Sequence, residues 1–219
     1  FGATVGGAIF TGLLRSIELT KPQIGIIMTI PLLFPPLQVF GAYLQRNFFH
    51  RKKFWFVCST TYYSLNAVLI VLVLSWAKIP PQLGFAIFLM VFALVQIFAQ
   101  LPASTNLGWL GELVPRRESN AYWNKRTGWA GISGMIAGIA MGKLVDILGR
   151  DYSLTYVIVL TLGVIFGYTS TLIFAGVVDP DPAPRPGENF LTLLKETWKN
   201  RQYRILTFFF SYQAFFAWL

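Results

Sequence analysis

The chain has 219 residues, of which 55% are hydrophobic, 16% aromatic and only 12% charged, and its net charge is +9. That balance excludes an ordinary soluble domain, in which about a quarter of residues are charged. The basic residues sit in short stretches beside apolar runs rather than on one continuous face, which excludes a nucleic-acid footprint.

The chain opens in an uncharged run, 1–14, and further runs without Lys, Arg, Asp or Glu occupy 22–45, 54–77, 79–111, 127–142, 152–178 and 205–219. A helix rises about 1.5 Å per residue and a bilayer's hydrocarbon core is about 30 Å thick, so about 20 apolar residues span it. Strands of a membrane barrel alternate over about 10 residues, whereas these runs are continuous and mostly longer, which predicts helices. Seven helical segments are expected, at 1–16, 22–45, 54–77, 82–107, 126–144, 153–176 and 203–219. Pro31, Pro35 and Pro36 interrupt the second and predict a kink there. Asp179-Pro180-Asp181-Pro182-Ala183-Pro184-Arg185-Pro186-Gly187 places a proline at every second position and reads as an extended spacer. Residues 189–202 follow as an amphipathic helix, with Phe190, Leu193, Leu194, Thr197 and Trp198 on one face, or as an extension of the seventh segment. Three regions result: a bundle over 1–176, a linker over 177–202, and the start of a seventh helix over 203–219. The first residue is not Met and the last lies inside an apolar run, so the expectation is a piece of a longer protein.

Alternate connections carry unequal charge. The stretches after segments two, four and six hold Arg46, Arg51, Lys52, Lys53, Arg116, Arg117, Lys125, Arg126, Arg185, Lys195, Lys199, Arg201 and Arg204, against Arg15, Lys21, Lys78, Lys143 and Arg150 on the other side. Basic loops remain cytoplasmic, which predicts residues 45–53, 107–126 and 177–203 inside, together with the N-terminus.

Three motifs then carry a family likeness. Gly41-Ala-Tyr-Leu-Gln45-Arg46 precedes Arg51-Lys52-Lys53, Glu112-Leu-Val-Pro115-Arg116-Arg117-Glu118 follows segment four, and Asn200-Arg201-Gln-Tyr203-Arg204 opens segment seven. With six helices, a polar linker and a further helix, the chain resembles the N-terminal half of a major facilitator superfamily transporter. The resemblance implies an all-α integral membrane fold, a six-helix N-terminal bundle plus the start of a seventh helix, working by alternating access against the protein's own C-terminal half. It departs from the family at Gln45, where an Asp is usual.

The resemblance also implies that segments one and four line a central cavity. Thr4, Thr11 and Arg15 share a stripe of segment one, and Gln96 and Gln100 share a face of segment four, with Ser104 near its inner end. Two amides in hydrocarbon need a partner, water or a solute; the alternatives are contact with a neutral, sugar-like substrate and hydrogen bonding between helices. Tyr212 and Gln213 on segment seven belong to the same candidate set. Gly41, Gln45, Arg46, Glu112 and Arg116 are candidates for a gate at the helix ends, with Glu112 and Arg116 as a latch. Gly134, Gly138 and Gly142 form a stripe that permits close helix approach, and the resemblance sets this helix at the boundary between halves. Gln38, Tyr62 and Asn66 read by default as packing residues.

Enzyme signatures are lacking in the sequence. It has one histidine, His50, one cysteine, Cys58, and no carboxylate pair, metal-ligand cluster or phosphate loop. The expectation is therefore a non-enzymatic chain with no cofactor and no metal. Its partners would be membrane lipids and a small solute, and its place a bacterial inner membrane. The rival reading from another class is a polytopic receptor or scaffold that keeps the fold without transporting.

Overall fold

The computed structural model describes residues 7–47, 51–115, 117–149 and 153–177, with isolated positions between 195 and 208. All regular structure among the described residues is helical. The Pro-rich spacer and most of the seventh segment lie outside them, as do Thr4, Arg116, Tyr212 and Gln213. The chain divides into two units, Phe1–Pro182 and Ala183–Leu219. In the second, the rings of Trp198 and Phe208 meet edge to face at 6.4 Å.

Helix α1 (Ala8–Ser16) ends in a left-handed turn at Glu18, φ 59°. The Glu18 N–H donates to the Arg15 carbonyl at 2.9 Å and the Leu19 N–H to the Leu14 carbonyl at 3.2 Å, the two bonds of a Schellman motif. Thr20 then starts α2 (Lys21–Leu33) in a capping box: Gln23 Oε1 accepts from the Thr20 N–H and hydroxyl at 2.9 Å, and Pro22 sits in the first turn.

The expected kink in the second segment is a full break. Pro35 and Pro36 carry no N–H, so the carbonyls of Pro31 and Leu32 lose their helical donors. The chain tightens to three-residue bonds from Leu37, Gln38 and Val39 to Phe34, Pro35 and Pro36 before α3 (Leu37–Asn47) continues at 41° to α2. Helix α4 (Arg51–Leu74) passes through a 3-10 turn at Trp76–Lys78 to α5 (Pro81–Gln100).

The fourth segment, expected to be continuous over 82–107, breaks at Leu101–Pro102 and resumes as α6 (Ala103–Leu113). Pro102 withholds the N–H that the Phe98 carbonyl would take. Helix α7 (Ser119–Leu148) has 30 residues and overruns its expected bounds of 126–144 at both ends, stopping where Gly149 adopts φ 96°. Helix α8 (Ser153–Ala175) follows.

Among the described residues, four helices, α4, α5, α7 and α8, are long and apolar enough to cross a membrane, and the bent pair α2–α3 is a fifth if taken as one span. The fold is all-helical among the described residues and compatible with an integral membrane protein. Its core lies where α1, α4, α5 and α8 meet. Phe10 stacks on Phe92 at 5.2 Å and on Phe88 at 6.5 Å, and Trp76 closes on Phe88 edge to face at 6.3 Å. Helix α7 reaches this core only near its end, through Met141, Leu144 and Val145.

Candidate functional site

Helix α5 buries Gly84, Phe88, Val91, Phe92, Val95 and Gln96, positions at helical spacing that define its inward stripe. Gln96 is the polar member of that stripe. It is 7% exposed and has no hydrogen-bond partner among the described residues. One turn on, Gln100 is half-buried and its Oε1 accepts from Gln38 Nε2 at 2.6 Å, tying α5 to α3. The two amides, alike in sequence, therefore have different surroundings.

The Gln38–Gln100 bond sits beside a close backbone contact. Gly41 is buried, and a Cβ there would run into the Leu101 carbonyl at the α5–α6 break. Only glycine permits α3 to approach the break this closely. Farther along, Trp109 of α6 is fully buried, with Phe174 of α8 at 4.9 Å and Trp55 of α4 at 6.4 Å. At the same end, Lys52 Nζ donates to the Val177 carbonyl just past α8 at 2.9 Å, a cation placed at the negative end of the helix dipole.

A small void of about 10 Å³ lies between α1, α4, α5 and α8, lined by Phe10, Leu69, Phe88, Phe92 and Leu160 among others, with the Asn66 amide as its polar group. It is about the size of one water, which needs two or more polar partners. Asn66 Nδ2 already donates to the Tyr62 carbonyl at 2.8 Å, so the void is packing space and not a solute pocket. Higher on the α4–α8 seam, Ser64 Oγ and the Tyr168 hydroxyl share a hydrogen bond of 2.6 Å, and Tyr63 fills the room left by Gly167.

The remaining candidates are scattered. Thr11 Oγ1 donates to the Gly7 carbonyl at 3.4 Å, and Arg15 is exposed in the last turn of α1. Gln45 is half-buried near the end of α3, and Glu112 is exposed near the end of α6. The side chains of Arg46 and Ser104 lie outside the described residues, so the Glu112–Arg116 latch and the inner end of the segment-four face have no geometry here. Among the described residues, nothing lies within 4 Å of a Cβ placed at Gly134, Gly138 or Gly142 on α7. No cluster of metal-ligating side chains occurs among the described residues.

Sequence reasoning ranked Gln38 as a packing residue, used Lys52 only as one of the basic residues that set orientation and mark a motif, and gave Trp109 no role. Each has a partner far away in the chain, and for Gln38 and Trp109 the one available signal was a polar or aromatic residue inside an apolar run. Comparison of the chain with family models, with curated proteins and with solved structures gives no match.

Proposed function

We propose that the chain is the N-terminal half of a secondary transporter of the major facilitator type, moving a small neutral polar solute by alternating access. In this reading it lies in a bacterial inner membrane, with its N-terminus in the cytoplasm. The apolar helices, the uneven charge of alternate connections and the three motifs support the reading. The observation that carries it is Gln96. A buried amide without a partner costs free energy in a fold, and contact with a hydroxyl-bearing solute accounts for its retention. Gln100 has a different role, holding α3 to α5 through Gln38.

The test uses the complete transporter in proteoliposomes and a panel of neutral sugars and polyols. Saturable uptake of one of them is expected. Gln96→Ala should weaken its affinity roughly 5- to 150-fold, the equivalent of about 1–3 kcal/mol for one buried hydrogen bond, with thermal stability unchanged. Gln100→Ala should lower stability and leave affinity per folded molecule unaltered. Uptake of none of these solutes, or unchanged affinity in Gln96→Ala, overturns the proposal.

A further inference from the structure

A phospholipid presents three zones in fixed order along the membrane normal: an anionic phosphate, a glycerol-ester layer and acyl chains. One side of α7 carries matching side chains in the same order. At about 100° per residue, Tyr122, Lys125, Arg126, Trp129, Ile132 and Ile136 fall within roughly a third of the helix circumference. Lys125 and Ile132 lie across the helix from Met141 and Val145, which face the core. Most of this side is uncovered among the described residues: Trp129 is 69% exposed, Ile136 is 60% exposed, Lys125 and Arg126 are exposed, and Tyr122 is half-buried.

The distances fit a leaflet. From Ile136 to Lys125 the helix rises about 16 Å, close to half of the roughly 30 Å hydrocarbon core. The uncharged run 127–142 begins immediately after Arg126, so the cations stand where hydrocarbon would end. The whole helix, about 45 Å long at its 30 residues, exceeds the hydrocarbon core by about ten residues, and Ser119–Arg126 accounts for most of that excess. Trp123 shares an edge-to-face contact with Tyr122 at 5.5 Å and lies under the Arg126 guanidinium at 5.2 Å, which leaves the guanidinium edge open to an oxygen ligand. Glu118 lies seven residues before Lys125, about 10 Å along the axis, and Arg117 stands beside it, so the cluster keeps a positive excess.

We propose that this side of α7 is a binding site for an anionic phospholipid. Lys125 and Arg126 take the phosphate, Trp129 lies in the ester layer with Tyr122 toward the headgroup, and Ile132 and Ile136 take an acyl chain. Charge complementarity selects the anionic class, since a zwitterionic headgroup brings its own cation. The site rests on α7 crossing a membrane and not on transport.

The test reconstitutes the full chain in vesicles of phosphatidylcholine with a minor fraction of phosphatidylglycerol, brominated on the acyl chains of one lipid or the other. The part of the tryptophan quenching that disappears in Trp129→Phe reports lipid at this site. Brominated phosphatidylglycerol should quench that part several-fold more per molecule than brominated phosphatidylcholine. Lys125→Ala with Arg126→Ala should remove the preference, to which each cation contributes at most about fivefold, while Lys143→Ala near the other end of the same helix should leave it. Equal quenching by the two lipids, or a preference that survives the double substitution, overturns the site. Quenching of Trp129 by neither lipid overturns the membrane-spanning reading along with it.

Discussion

Helices α7 and α8 are neighbours in the chain and both pass as membrane spans, yet they are used in different ways. In the most apolar stretch of α8, 39% of residues are buried within the chain; in that of α7, 6% are. Both carry glycines. In α8, Gly167 sits under the Tyr63 ring and Gly163 is buried, whereas no described atom approaches the glycines of α7. In a membrane, apolar composition says only that a helix is not facing water. Whether it packs on protein or on lipid is decided by shape, and shape appears in the sequence only as which small residue meets which large one.

Substitutions can break or sharpen that contrast. Trp109→Ala should have the largest effect, about 3–5 kcal/mol, because it empties a closed site against Trp55 and Phe174. Trp129→Ala, on the uncovered helix, should stay within about 0.5 kcal/mol. Both are readable from thermal unfolding in detergent with a thiol-reactive dye, because Cys58 is buried and reacts when the fold opens. Equal losses would show that α7 is covered as closely as the Trp109 site against α8 is.

Next, Gly41→Ala should destabilise by about 1–3 kcal/mol, since its Cβ meets a backbone carbonyl that cannot swing aside. Gly167→Ala should lose less, because the obstructing group is the Tyr63 ring, a side chain that can turn about χ1, rather than a backbone carbonyl. Gly138→Ala should lose nothing. A Gly138→Ala variant as unstable as Gly41→Ala would mean that the α7 stripe is packed after all. Among the packed positions the smallest loss is expected for Gln38→Leu, about 0.6 kcal/mol, the mean worth of one interhelical hydrogen bond in a membrane. A double-mutant cycle with Gln100→Leu should return that value as coupling, and zero coupling would remove the bond.

Helix identity was legible because uncharged runs of span length have few other uses. Helix ends were less so. The start of α7, Ser119-Asn-Ala-Tyr-Trp-Asn-Lys-Arg126, is polar enough to fall outside a hydropathy window but has no proline to stop a helix, so the helix extends past the apolar run. Pro102 is visible in the sequence, yet a proline three-quarters of the way along a run reads equally as a kink or as a terminus. The capping box Thr20-Lys-Pro-Gln23 is a local signal that marks the start of α2 well. Glu18 in a left-handed conformation could not be foreseen, because a carboxylate residue adopts it only where neighbouring hydrogen bonds hold the turn. At the candidate site, the sequence singled out Gln96 and Gln100 together. It could not separate them, since the partner that does so is 62 positions away.

The turn between α1 and α2 has a bearing on how such a chain enters a bilayer. Backbone N–H groups that leave water without an acceptor are what oppose insertion of a helical hairpin, at several kcal/mol each. Here the N–H groups of Ile17, Glu18, Leu19 and Thr20 all have acceptors within the turn, and Pro22 has no N–H to satisfy. The turn therefore supplies acceptors for these four N–H groups from within itself. The connection between α1 and α2 does not wait for later helices to supply these four acceptors.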